Sequence, residues 1–307
     1  MRVLVYGSLN IDLVFTVDHI VRPGETIASS DLEKSAGGKG ANQAAALAKA
    51  GIDTYMAGKI GADGRFLLEL LESYGVNTER VALYPGASGQ ALIQLDKDKQ
   101  NSIILYAGGN GEIRVDEIDG VLGSFGPGDA ILLQNEIPHI GSIMNKAKAQ
   151  GVKIFLNPSP YDEKIVNLPL DIVDIFFVNE IESAALAADT AESILPEGAA
   201  LPFIVDRLTA RFPRAEIILT AGRDGAYYGS GAVRAKGEII DLPLADTTGA
   251  GDTFTGYYIA AREKQFSVPD ALSLACKAAS IAVSRKGAMQ SIPFGDEVFQ
   301  DAPASVH

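Results

Sequence analysis

Tryptophan is absent from the 307 residues, and cysteine occurs once, as Cys276. A single thiol excludes an intrachain disulfide framework, and no Cys/His cluster has metal-ligand spacing, so neither a disulfide-stapled module nor a zinc domain is expected. Long apolar runs are also missing: no segment approaches the roughly 18 consecutive apolar residues of a membrane helix. The stretch from Met1 to Phe15 carries one arginine and is broken by Gly7, Ser8, Asn10 and Asp12, unlike a signal peptide. A reducing, cytoplasmic location is the expectation. Positive charge is scarce, with 26 Lys and Arg against 39 Asp and Glu, a formal net charge of −13. That excess repels nucleic-acid backbones and anionic membranes and leaves a small molecule as the expected partner. A nucleotide can still be held if the attraction is concentrated in backbone amides, helix N-termini and a few cations.

With 47% apolar residues the chain can bury a large core. Val3 to Tyr6 reads as a buried strand delivering the loop GSLNID, which carries Asn10 and Asp12. Asp12 to Val17 and Thr26 to Lys34 look extended. A glycine-rich turn follows, then a helix over Gly40 to Ala50, a strand over Thr54 to Lys59 and a helix over Arg65 to Tyr74. Gly89 to Leu95 and Ser102 to Tyr106 form a hairpin across the polar turn DKDKQN. Strand and helix then alternate: Ala130 to Gln134, Gly141 to Gln150, Lys153 to Asn157, Ile175 to Val178 and Ile217 to Thr220. Such alternation predicts a parallel sheet with helices on both faces, and the early extended runs predict a small second sheet acting as a lid over one end. Ala187 to Pro213 has no readable pattern.

Five strings could carry chemistry. In Asp246-Thr247-Thr248-Gly249-Ala250-Gly251-Asp252-Thr253-Phe254, three small residues before a helix let backbone N–H groups converge on an anion. Asp252 at the end of that hole can accept a proton from an attacking hydroxyl; a bare helix cap is the alternative. In Ser35-Ala36-Gly37-Gly38-Lys39-Gly40-Ala41-Asn42, the glycines allow close backbone approach, Lys39 adds charge and Asn42 offers a donor and an acceptor. The Walker spacing is missing, and the string alone does not separate a tight loop from a ligand loop. Asn179 and Glu182 in VNEIE could organise a hydrated Mg²⁺ or simply cap a helix. Thr220 and Gly222 in LTAGRDGA could line phosphates or form a plain hairpin. Glu136 stands at the end of a strongly apolar strand, positioned to face a ligand, whereas His139 lacks a visible catalytic partner.

Together and in this order, GSLNID, AGGKGANQA, GQALIQL with NSIILYAGGN, VNEIE, LTAGRDGA, DTTGAGDTF and SRKGAMQSIP resemble the PfkB carbohydrate kinases, and among them the ribokinase-like members, over nearly the whole length. The resemblance implies an α/β architecture: a three-layer αβα ribokinase-like fold with a mostly parallel central sheet and a small β-sheet lid. It implies one kinase domain over 1–307, with lid strands from about 12–34 and 88–107 and dimerisation through the lid. The implied reaction is transfer of the γ-phosphoryl of ATP to a primary hydroxyl, with D-ribose the expected acceptor and 2-deoxyribose, fructose or a nucleoside the alternatives. A non-catalytic binding protein on the same fold would have lost the base or the glycines, and neither is lost.

The resemblance also implies roles. Asn10, Asp12, Gly38, Lys39, Asn42 and Glu136 would hold the sugar, with Asn10 near its 2-hydroxyl, and Asp252 would be the base. Gly249, Ala250 and Gly251 would form the anion hole. Asn179, Thr220 and Gly222 would contact ATP, and Glu182 would order the waters of Mg²⁺. A monovalent cation such as K⁺ would sit among Asp246, Thr248, Ala282, Arg285, Gly287 and Ser291, several of them acting through backbone carbonyls. Tyr257 and Tyr258 depart from the small residues usual after TFxG and must pack differently. Ala275-Cys276-Lys277 replaces a stretch where an Asn is common, which bears on base selectivity.

Overall fold

The computed structural model describes residues 1–98, 100–188 and 198–300. Lys99 in the predicted hairpin turn, and residues 189–197 within the unreadable Ala187 to Pro213 stretch, lie outside the described residues. In chain order the strands are β1 (Arg2–Tyr6), β2 (Asn10–Thr16), β3 (Asp31–Gly37), β4 (Asp53–Gly61), β5 (Asn77–Tyr84), β6 (Gly89–Leu95), β7 (Asn101–Tyr106), β8 (Ala130–Gln134), β9 (Lys153–Asn157), β10 (Ile175–Asn179), β11 (Glu216–Thr220), β12 (Ala226–Ser230) and β13 (Val233–Gly237). The α-helices are α1 (Lys39–Lys49), α2 (Arg65–Ser73), α3 (Ile118–Leu122), α4 (Ile140–Ala149), α5 (Glu180–Ala188), α6 (Leu201–Arg211), α7 (Ala250–Glu263), α8 (Val268–Val283) and α9 (Gly295–Phe299).

Nine strands form one sheet in the order β13-β12-β11-β10-β9-β8-β1-β4-β5. Every pairing from β11 to β5 is parallel, and β12 and β13 are added antiparallel at one edge. Alternate residues of the buried strands feed two cores, as the two-residue period of a strand requires. Val3, Val5, Leu132 and Ile218 pack with α1, α2, α7 and α8 on one face. Leu4, Tyr6, Ile131, Leu133, Ile217 and Leu219 pack with α3, α4, α5 and α6 on the other. The result is the expected three-layer αβα fold.

The small sheet has the order β3-β2-β6-β7. Two readings of it are corrected. The strand expected to start at Asp12 begins two residues earlier: Asn10 lies within β2, not in a loop, because it pairs with Gly37 on one side and Gly89 on the other. Thr26 to Ser30 is not strand: the ladder closes where Ser30 N–H donates to Thr16 O at 2.9 Å, and beyond Thr16 β2 offers no partner.

Helix α1 lies close against α7. Gly256 makes this possible, since a Cβ there would come within 2.5 Å of Ala46 Cβ. The alanines of α1 supply the matching small surface. This contact brings the start of α1 beside the start of α7.

Candidate active site

The C-terminal ends of β1, β8, β9, β10 and β11 open on one edge of the main sheet, where ligands of open α/β sheets bind. Helix α7 starts there at Gly249, whose φ of 75° is left-handed, and no side chain caps it. The first-turn N–H groups of α7 therefore have no acceptor within the helix and carry the positive end of its dipole. Asp252 sits in that turn, 7% exposed. Its Oδ2 accepts from Asn42 Nδ2 at 3.0 Å and its Oδ1 from Gln43 Nε2 at 2.9 Å. Gln43 also donates to Asn157 Oδ1 at 3.0 Å and accepts from Gln134 Nε2 at 2.6 Å. The carboxylate is thus held from α1 and, through Gln43, from the ends of β8 and β9. Asn42 Oδ1 is buried without a hydrogen-bond partner.

Glu136 accepts from Ser8 Oγ and from the Lys39 N–H at 3.2 Å, while Ser8 Oγ accepts from Gly40 N–H at 3.3 Å. Burial raises the Glu136 pKa against the opposing effect of the Ser8 hydrogen bond and the Lys39 charge. For Lys39 burial works against the charge, but Asp252, Glu136 and Glu182 outweigh it and raise its pKa. Asp12, 9% exposed, is pushed up to about 7 by burial and then by the charge of Glu136. Asn10 Oδ1 accepts from Asn110 Nδ2 at 2.7 Å.

Lys39, Asn179, Glu182, Thr220, Gly222, Gly249, Ala250, Gly251 and Asp252 line one cleft of about 350 Å³. Asn10, Asp12, Gly38, Asn42 and Glu136 are not in its wall. Asn42 joins it through Asp252, and Glu136 through Lys39. Asn179 Oδ1 accepts from Ile181 and Glu182 N–H at 2.9 and 3.0 Å, and Glu182 accepts in return from Asn179 N–H at 2.8 Å and Nδ2 at 3.0 Å. This is a reciprocal cap of α5 that also forms cleft wall. The cap reading of that string is the one these hydrogen bonds describe.

Asp246 Oδ1 accepts from Thr248 N–H (2.9 Å) and Oγ1 (2.7 Å), and Oδ2 accepts from Gly287 N–H at 3.1 Å. Burial opposes ionisation of Asp246, but these bonds together hold its carboxyl below the usual range. Gly249 faces Ala288, so the turn before α7 leans on the 287–291 loop. Within that loop Ser291 Oγ donates to Ala288 O at 2.8 Å. Ala282 O accepts from Arg285 N–H at 3.0 Å, and the Arg285 guanidinium is turned away onto Glu297. Only its backbone is left for the loop.

The sequence pattern of the pfkB family carbohydrate kinases matches residues 1–294. This chain belongs to that family. It is 33% identical over 308 residues to the ribokinase of Staphylococcus aureus, covering 97% of this chain and 99% of that one. The ribokinase of Cryptococcus neoformans, solved in complex with ADP, superposes with a TM-score of 0.84 at 34% identity, covering 97% and 99% of the two chains. Arabidopsis thaliana ribokinase, solved with ribose and ATP, gives 0.82 at 31% identity and covers 97% of each.

Within this pfkB-family chain the two unusual tyrosines are core residues. Tyr257 OH donates to Pro293 O at 2.6 Å, and Tyr258 OH donates to Glu216 Oε2 at 3.1 Å under a stacked Phe254. Near the 275–277 stretch the cleft is walled by Cys276, Ala279 and Ile239, and burial pushes the Cys276 thiol up to about 12, so it stays neutral. Lys277 points away to Val298 O at 3.0 Å. Sequence reading missed Ser8, Gln43, Asn110, Gln134 and Asn157. The available signal for Gln43 was a buried amide in an alanine-rich helix beside Asn42; for Gln134 and Asn157 it was a polar residue closing an apolar strand.

Proposed function

We propose that this chain phosphorylates the primary hydroxyl of D-ribose with ATP, using Asp252 as the base. The observation that carries the reading is the Asp252 carboxylate held by Asn42 and Gln43 at the uncapped start of α7. In this reading Asp252 takes the hydroxyl proton, while the amides of Gly249, Ala250 and Gly251 stabilise the charge of the transferring phosphoryl. Asn10, Asp12, Gly38, Lys39, Asn42 and Glu136 hold the sugar, and Asn42 Oδ1 is free to accept from one of its hydroxyls. Asn179, Thr220 and Gly222 hold the nucleotide. Among the described residues no group of three His, Cys, Asp or Glu could bind a metal ion alone. Mg²⁺ bound with the ATP phosphates would neutralise part of their charge, and Glu182 would order its waters. No described helix is long and apolar enough to cross a membrane. We read the whole of 1–307 as one domain working in the cytoplasm. Exposed Ile103, Ile104, Leu105 and Tyr106 on β7 support a dimer through the lid.

The test is ADP release from Mg-ATP with a panel of pentoses, hexoses and nucleosides. Ribose is expected to exceed 2-deoxyribose by about 5- to 150-fold in kcat/KM, because the deoxy sugar leaves the Asn10 amide unmatched. Equal efficiencies would mean that Asn10 does not read the 2-hydroxyl.

K⁺ is expected to activate. An ionised Asp246, with the backbone of Thr248, Ala282, Arg285, Gly287 and Ser291, suits a monovalent cation that would order the anion-hole turn. Activity should rise when a bulky organic cation is replaced by K⁺ at constant ionic strength. A flat response argues against the site.

A pH dependence follows from Asp12. Its pKa in the fold is raised to about 7, so below that pH the carboxyl is protonated. If the sugar hydroxyls donate to the ionised form, binding releases a proton, and the sugar KM should climb by up to about tenfold per unit as pH falls below about 7. The same shift lowers stability as pH rises from about 4 to about 7, since the folded state keeps a proton that the unfolded chain releases. Asp12→Asn should raise KM and flatten its profile; an unchanged slope in that variant would assign the titration elsewhere.

A further inference from the structure

We propose that Asn110 is a positioning residue that turns the Asn10 carboxamide so that its NH₂, not its oxygen, meets the 2-position of the sugar. The inference rests on the sugar reading of Asn10 given above.

The orientation follows from a chain that starts at an unambiguous donor. The Leu9 backbone N–H points at one end of the Asn110 amide, 2.9 Å away, so that end is the oxygen. The other end is therefore the NH₂, an obligate donor, and it lies 2.7 Å from Asn10. Only an acceptor fits there, so Asn10 presents Oδ1 to Asn110 and keeps Nδ2 for its remaining side. Turning Asn10 over would set NH₂ against NH₂ between two amides that are 6% and 3% exposed, where water cannot make up the loss.

Close packing keeps Asn110 in place. A Cβ at Gly89 would overlap both Asn110 Nδ2 and Asn10 Oδ1, so the pair is pressed directly against β6. The short turn Gly108–Glu112 that carries Asn110 is tied to the residues before β6 by Gly109 N–H donating to Ala87 O at 3.0 Å. Asn10 and Asp12, two residues apart on β2, share a face. The amide that Asn110 orients is therefore on the same side as the Asp12 carboxylate, one presenting a donor and the other an acceptor. Asn110 itself makes no claim on the sugar. Its effect on the 2-position passes through Asn10, while its Oδ1 separately holds the Leu9 N–H.

The measured quantity is the ratio of kcat/KM for ribose to that for 2-deoxyribose. In Asn110→Ala the Asn10 amide is free to turn, and the ratio is expected to fall at least about threefold, through a higher KM for ribose with kcat and the 2-deoxyribose efficiency nearly unchanged. In an Asn10→Ala background the same substitution should leave the ratio where it is, because the two residues act as one unit. A second measurement needs no variant: 2-deoxy-2-fluororibose carries a substituent that can accept but not donate, and the wild type should use it better than 2-deoxyribose. The proposal is overturned if the fluoro sugar is used less well than the deoxy sugar. It is also overturned if Asn110→Ala keeps the wild-type ratio or lowers both sugars equally, which is what a merely structural residue would do. A wild type that does not distinguish ribose from 2-deoxyribose removes the sugar reading of Asn10, and this inference with it. That outcome is visible before any variant is made.

Discussion

Asp252→Asn is expected to lower kcat by about 10² to 10⁴ while ligand affinities stay within a few-fold. The size follows from what the carboxylate is placed to do. In the proposed reaction it takes the proton of the attacking hydroxyl, and an amide cannot take that proton. The structure adds a second consequence. Both carboxylate oxygens accept from side-chain NH₂ groups, Asn42 on one and Gln43 on the other. The new Nδ2 must therefore meet one of these donors head-on, which loosens α1 against the start of α7 by a modest amount, about 1 to 3 kcal/mol. Steady-state kinetics with a parallel melting curve separate the two effects. Turnover near that of the wild type would remove Asp252 from the mechanism, whatever the melting curve does.

Tyr257→Ala is expected to cost about 3 to 5 kcal/mol of stability, within the range for deleting a large buried aromatic. Tyr257 is fully buried, its ring stacks on Phe299 at 5.7 Å between centroids, and its hydroxyl donates to Pro293 O. At about 2.1 cal/mol/K of unfolding entropy per residue, the loss corresponds to a Tm lower by roughly 5 to 8 °C for a chain of this size. Tyr257→Phe keeps the packing and leaves one buried carbonyl without its donor, so it should cost only about 1 to 2 kcal/mol. Thermal unfolding of the two variants side by side checks the assignment. Equal melting points for Ala and wild type would show that the ring is not part of the core.

How far these features could be read from the chain alone depended on the range of the interactions behind them. The central strands were legible because Val3 to Tyr6, Ala130 to Gln134 and Ile217 to Thr220 are apolar runs buried on both faces. Strand β5 was not. It is an edge strand pairing only with β4, most of its residues are partly or wholly exposed, and so its sequence carries little apolar pattern. The glycine turn before α7 was legible because its glycines and the following helix lie within nine residues. Asn10 was visible as a candidate, but its place inside a strand was not, because that depends on Gly37 and Gly89 pairing with it from either side.

The sequence by itself determined the layered α/β architecture and the local chemistry, since alternation of strand and helix and glycine turns before helices act over a few residues. Only the tertiary structure decided which side chains meet. Gln43 reaches Asp252 across 209 positions, and Asn110 reaches Asn10 across 100. The local sequence can show that an amide stands in an apolar context, but not which group it meets, because the energy comes from burying it beside the one group that satisfies it. The fold must bring that partner from another strand or helix before the hydrogen bond exists.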